Sequence, residues 1–197
     1  MQPMTQPNHD ATDTTPALPT ATLREKTILL WVAALTLILD QFSKYIVEYA
    51  MPLNTTWEPF AGYGHLFRFT HIANTGTAFG LFSGSSNFFA VMAVLVGGAI
   101  LIYNIILPGE QRLLRLAMGL QLGGALGNLL DRLRLGHVTD FLDFSAWPVF
   151  NLADTAIVGG VVILGWLMVQ EMIEERRQAQ ANTQDKPGSL LNERATD

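Results

Sequence analysis

Four long apolar runs divide the chain, and polar residues bound each of them. The first builds through Ile28–Leu39 and continues into "DQFSKYIVEY". A helix over about 27–49 reaches the roughly 20 residues that a bilayer crossing needs, with Asp40, Lys44 and Glu48 on its far half. The second run, "FFAVMAVLVGGAILIYNIIL", carries no charge and predicts a span over 88–107, after which "PGEQR" turns the chain. Apolar cores at 116–130 and 155–169 predict spans over about 113–131 and 152–171, their polar flanks entering the interface. The first run could pass for a signal-peptide core, but it leads into "DQFSK" and not into a small-residue cleavage site, which predicts an uncleaved span.

The segments between and around these runs behave differently. Residues 1–24 are rich in Thr, Pro, Gln and Ala without hydrophobic period, and 173–197 are polar and charged; both predict disordered tails around one membrane domain at 25–172. Residues 50–87 are too many for a turn. Within them "HLFRFTHI", His65–Ile72, alternates and is aromatic and β-branched, the pattern of a strand. Asn-Thr-Gly then marks a turn, and Thr77–Phe82 reads as the start of a short interfacial helix, with Phe79, Leu81 and Phe82 toward lipid or a greasy substrate, or equally as a small hydrophobic cap over the bundle. The expected class is an all-α membrane protein with four transmembrane helices and a small extracytoplasmic β element.

Charge changes the picture in two ways. With 49% hydrophobic and 15% charged residues, the chain is poorer in charge than soluble domains, which carry about 25%. A net charge of −5 argues against nucleic-acid binding, and the absence of cysteine excludes disulfides, thiolate metal sites and a cysteine nucleophile. The distribution of cations also orients the bundle. Arg24, Lys26, Arg112, Arg115, Arg176, Arg177, Lys186 and Arg194 fall on one side of a four-span topology, and Lys44, Arg68, Arg132 and Arg134 on the other. The positive-inside rule therefore predicts cytoplasmic N- and C-termini.

That topology gathers the polar groups. Asp40 and Lys44 lie toward the outer end of span one, "GNLLDR" with Asn128, Asp131 and Arg132 ends span three, and Asn151 and Asp154 begin span four. The intervening loop holds Asp140 and Asp143. Ionisable residues at a membrane edge are functional candidates. Structural roles account for pieces of the set: Asn151 and Asp154 fit a helix-capping pair, Asp40 and Lys44 a favourable i, i+4 pair, Asp131 and Arg132 a surface ion pair. They account poorly for convergence on one face. Gly119, Gly123 and Gly127 form a small-residue stripe that predicts close helix packing.

The chemistry narrows by elimination. Four scattered histidines offer no zinc-protease spacing, Ser43 and Lys44 point about 100° apart on a helix, and no Gly-x-Ser-x-Gly is present. Carboxylates remain. Two that share a proton make an acid–base pair, one deprotonating water and the other hydrogen-bonding a scissile carbonyl. On spacing, Asp140 and Asp143 are equally good partners for Asp154.

Five segments in order, "LDQFSK" at 39–44, "NTGTAFG" at 74–80, "GGALGNLLDR" at 123–132, "VTDFLDF" at 138–144 and "FNLAD" at 150–154, closely resemble the bacterial lipoprotein signal peptidases (signal peptidase II), membrane aspartic proteases. The resemblance implies cleavage of prolipoprotein signal peptides just before a diacylglyceryl-modified cysteine at the inner membrane, with lipid as neighbour and no cofactor or metal. It implies Asp140 and Asp154 as the catalytic pair and leaves Asp143 to the loop. Asn74, Asn128, Arg132 and Asn151 would surround the substrate backbone, with Asp40, Lys44 and Asp131 holding the site. The 50–87 loop would form a β-platform and interfacial helix that clasp the substrate. Thr139 and Thr77 depart from the usual aliphatic and Ala residues, and the 140–154 stretch is compact. Two competing readings are an ion-coupled transporter subunit, which predicts charge through the membrane depth, and a non-enzymatic assembly factor, which would tolerate loss of both aspartates.

Overall fold

The computed structural model describes residues 21–60, 62–76 and 86–184. The tail segments 1–20 and 185–197 and the expected interfacial helix at 77–82 lie outside the described residues. Four helices, α1 (Leu23–Ala50), α2 (Ser86–Ile106), α3 (Arg112–Leu135) and α4 (Leu152–Gln184), are each long and apolar enough to cross a bilayer. A three-stranded antiparallel sheet, β1 (Thr56–Trp57), β2 (Arg68–Asn74) and β3 (Val138–Asp143), caps one end.

Local chemistry sets the helix ends. Thr22 and Glu25 form a capping box at the start of α1, where Thr22 Oγ1 accepts from the Glu25 amide at 3.3 Å and Glu25 Oε2 accepts from the Thr22 amide at 2.9 Å. Gly136, at φ +78°, ends α3, and its amide donates to Arg132 O at 3.1 Å. This left-handed position suits glycine. The expected end of span four near 171 is overrun, because α4 continues to Gln184. "EMIEERRQAQANTQ" holds neither Gly nor Pro and is mostly strong helix formers, so the polar segment extends the span.

Helix α3 is the centre of the bundle and packs against α1, α4 and α2. Its glycines explain how closely. A Cβ on Gly119 would stand 2.8 Å from Leu29 O, and one on Gly123 would stand 2.5 Å from Ala33 O, so α1 and α3 run parallel at backbone contact. Gly124 meets the Ala153 carbonyl of α4 and Gly160 of α4 meets Ala117 O, which makes α4 antiparallel to α3. Without a hydrophobic drive between helices in lipid, such contact rests on packing. Leu29, Ala33, Ile100, Leu107, Met118 and Leu122 form the buried apolar cluster. Leu30, Trp31, Leu35, Ile38 and Phe42 of α1 are exposed to what the bilayer occupies.

The strand expected at 65–72 is displaced to Arg68–Asn74, and it is the middle one of three. β1 pairs through Thr56↔Thr70, and β3 pairs through Ile72↔Asp140 and Asn74↔Val138, with a bulge between Phe69 and Ile72. The third strand comes from the loop between α3 and α4. On its other edge Phe150 returns as a bridge, its amide donating to Leu142 O at 3.1 Å. Phe67, Phe69, Phe141, Phe144 and Phe150 interlock around this corner. That return delivers Asn151 and the start of α4 to the side of Asp140.

Candidate active site

The platform end of the bundle holds a connected set of buried polar groups. Its base is Lys44, 1% exposed, whose ammonium lies 2.9 Å from Asp40 Oδ2 and 2.9 Å from Asp131 Oδ2. A third donor position meets Asn128 Oδ1 at 2.9 Å. A buried cation with three oxygen partners is satisfied, whereas one without them would be severely destabilising. Asp131 is fully buried in this cluster, which rules out the surface pair with Arg132 that spacing alone allowed. Neighbouring helix residues point about 100° apart. Asp131 therefore faces α1 while Arg132 turns away, its guanidinium 5.4 Å from the Phe89 ring centroid.

Asp40 also acts on α4. Its Oδ1 accepts from the Ala153 amide at 2.9 Å, one of the free donors of that helix start. Asn151 and Asp154 complete the cap. The Asp154 amide donates to Asn151 Oδ1 at 2.9 Å, and the Asn151 amide reaches Asp154 Oδ2 at 3.4 Å. The capping arrangement therefore coexists with a second set of bonds. Asn128 Nδ2 donates to Asp154 Oδ1 at 2.8 Å, and Asn151 Nδ2 donates to Asp140 Oδ1 at 2.6 Å and to Asn128 Oδ1 at 3.1 Å. Asn74, at the end of β2, donates from Nδ2 to Asp140 Oδ2 at 2.8 Å.

Asp140 and Asp154 thus come from a strand and a helix to one place, with Asn151 bonded to both. They line a cleft of about 370 Å³ with Asn74, Asn128 and Arg132, walled by Trp147, Pro148 and Val149. Burial pushes the Asp140 carboxyl up to about 7, and the Asp154 charge adds to the rise, against the opposing bonds from Asn74 and Asn151. A carboxyl in this state can hold a proton near neutrality beside a second carboxylate, the requirement for paired acid–base work.

Asp143 goes elsewhere. Its Oδ2 accepts from Arg68 Nε at 2.6 Å and Thr70 Oγ1 at 2.7 Å, both on β2. Three residues beyond Asp140 on a strand, it points to the opposite face. Spacing alone did not separate these two acids, but the strand parity does. Sequence reasoning also passed over Gln41, whose Nε2 donates to Asp131 Oδ1 at 2.9 Å and to Gly127 O at 3.2 Å. Its place between Asp40 and Lys44 in an apolar span was the available signal.

A family model described as signal peptidase II matches residues 32–170. The chain belongs to the signal peptidase II family. The peptidase is 46% identical over 149 residues to the lipoprotein signal peptidase of Moorella thermoacetica, covering 76% of this chain and 97% of that one. With the lipoprotein signal peptidase of Caldanaerobacter subterraneus it shares 44% over 140 residues, 70% of this chain and 93% of the relative. Its fold is similar to that of a solved bacterial membrane enzyme determined by the in meso method, with a TM-score of 0.69 at 26% identity over 79% of this chain and 94% of that one. A second such structure gives 0.66 at 27% identity, over 77% and 97% of the two chains. The signal peptidase II is accordingly a multi-pass membrane protease.

Proposed function

We propose that Asp140 and Asp154 are the catalytic pair of this peptidase, and that it removes signal peptides from lipoprotein precursors by aspartic-type hydrolysis. The relatives are named lipoprotein signal peptidases, and the substrate class follows as a prolipoprotein cut just before its diacylglyceryl-modified cysteine. The observation that carries the reading is the shared hold of Asn151 on both carboxylates inside one cleft. In the resting pair one proton serves two acids. The ionised member takes a proton from water as its oxygen attacks the scissile carbonyl carbon, while the protonated member hydrogen-bonds the carbonyl oxygen and passes its proton to it. Collapse of the resulting gem-diol breaks the C–N bond, and the leaving amine takes a proton from the pair.

The surrounding groups fit support of a substrate backbone: Asn74, Asn128 and Asn151 hold the carboxylates in fixed directions, and Arg132 supplies positive charge on the cleft wall. Asp40, Lys44 and Asp131 lock α1, α3 and the start of α4 together beneath it. The excess of Lys and Arg on the termini side supports cytoplasmic termini, an inner-membrane location and a cleft near the outer face, where a lipid-bearing precursor meets it. A gel-shift assay on a lipidated prolipoprotein tests the pair. Asp140→Asn and Asp154→Asn each abolish cleavage while the protein still inserts, and Asp143→Asn keeps substantial activity. Near-normal cleavage by the Asp140 variant overturns the assignment.

A further inference from the structure

Strand β3 presents Asp140 to the cleft on one face and Thr139 to the helices on the other. Thr139 is fully buried, and two carboxylates from two different helices hold it. Its amide donates to Asp131 Oδ2 of α3 at 3.1 Å. Its hydroxyl donates to Glu48 Oε1 of α1 at 2.8 Å. Asp131 already belongs to the Lys44 cluster. Glu48 touches none of the groups described in the cleft. Its other oxygen lies 3.9 Å from Arg134 Nη2, in a pair whose side chains are 24% and 49% exposed. An exposed pair at that distance contributes little, so the surface contact alone gives a weak reason for Glu48 to stand there. The bond to a buried hydroxyl gives a stronger one, because a hydrogen bond to an ionised acceptor is short and directional.

The bonds on the cleft face, from Asn74 and Asn151, aim the Asp140 carboxylate but do not tie its backbone to the bundle. Toward α4 the strand is tied by the Phe141 and Leu142 amides, which donate to Phe150 O at 3.0 and 2.8 Å; toward α1 and α3 it is tied one residue before Asp140, at Thr139. We infer that Glu48 is a positioning residue for the reaction, acting through the Thr139 hydroxyl to fix β3, and hence Asp140, against α1, the helix whose Asp40 also holds the start of α4. The inference rests on Asp140 being catalytic. Displacement of a reacting group by about 1 Å lowers turnover by as much as ~100-fold, and a lost clamp allows part of that movement.

The test measures kcat and KM of the full-length enzyme in detergent on a synthetic lipidated prolipoprotein peptide, together with its thermal midpoint. Thr139→Val keeps the shape and removes the donor, and Glu48→Leu removes the acceptor. Each lowers kcat roughly tenfold with KM within about twofold, and the double variant is no slower than either single one, since both break the same bond. Thr139→Ser and Glu48→Gln, which keep donor and acceptor, stay within about twofold of the parent. Glu48→Asp, one methylene shorter and gentle on folding, gives an intermediate kcat. Parental kcat in Thr139→Val or Glu48→Asp, additive losses in the double variant, or a lowered thermal midpoint with unchanged turnover of the folded enzyme overturns the inference. Asp140→Asn runs alongside: if it cleaves, the catalytic pair is misassigned; if it is inert while the clamp variants are normal, the clamp alone fails.

Discussion

Asp140→Asn tests the electrostatics of the site without any substrate. The carboxyl rises from an ordinary 3.8 to about 7 on folding. Below 3.8 folded and unfolded chains both hold the proton, and the shift has no effect on stability. Between the two values the folded chain holds it and the unfolded chain releases it, so stability falls as pH rises, and the loss is complete above about 7. At about 1.4 kcal/mol for each pH unit, the full loss is about 4 kcal/mol, of which about 2–3 kcal/mol falls between pH 5 and pH 8. Asparagine does not titrate. It does set its NH2 group against one of the two donors, Asn74 or Asn151, which costs about 1–3 kcal/mol at every pH. That offset cancels when the variant and the parent are compared across pH. Thermal unfolding in detergent at pH 5 and pH 8 reads the difference. The midpoint of the variant, relative to the parent, rises by roughly 5–10 °C from the acid to the alkaline condition for a chain of this size. Parallel midpoints across that range refute the claim that burial and the Asp154 charge hold the proton on Asp140.

Activity follows the same proton in the other direction of interest. A pair that needs one shared proton loses it as pH climbs through about 7, so cleavage declines on the alkaline side, and a pH–rate profile with its maximum above about pH 8 contradicts the arrangement. Lys44→Met leaves Asp40 and Asp131 buried without their cation and lowers stability by about 3–5 kcal/mol; adding Asp40→Asn and Asp131→Asn to the same chain recovers much of it, which unfolding midpoints check. Gly123→Ala drives a methyl into the Ala33 carbonyl of α1, whereas Gly98→Ala on α2 meets nothing within 4 Å. The first therefore lowers the thermal midpoint markedly and the second leaves it level or raises it, by up to ~1 kcal/mol of helix propensity; equal effects would deny the close α1–α3 contact.

Much of this architecture was legible in the residues. The four spans stand out because lipid demands long uninterrupted apolar helices, and the glycine stripe on α3 does pack helices. Asp40 and Lys44 pair as their spacing implies. Other features were hidden for physical reasons. β3 reads "VTDFLD", and its Thr and Asp residues are buried on both faces, so polarity does not alternate with exposure as it does on a half-solvated strand. The tail of α4 is polar all round, and such a helix shows no hydrophobic period to betray it. Local spacing alone could not tell Asp131 from a surface acid, because its partner lies 87 positions away, on another helix. Partners so distant follow from packing and not from local spacing.

The sheet links β2, near residue 70, to β3, near residue 140, and α4 begins after both. Consider the chain as it leaves the ribosome. After three spans and β3, it holds Asp140 and neither the Asn151 bridge nor Asp154. The two acids cannot meet before the last span is made, and in the folded chain its first turn is capped by Asp40, a residue more than a hundred positions earlier. On the proposed assignment of the pair, the protease stays inert until that span is in place, and competence comes with the step that completes its own topology.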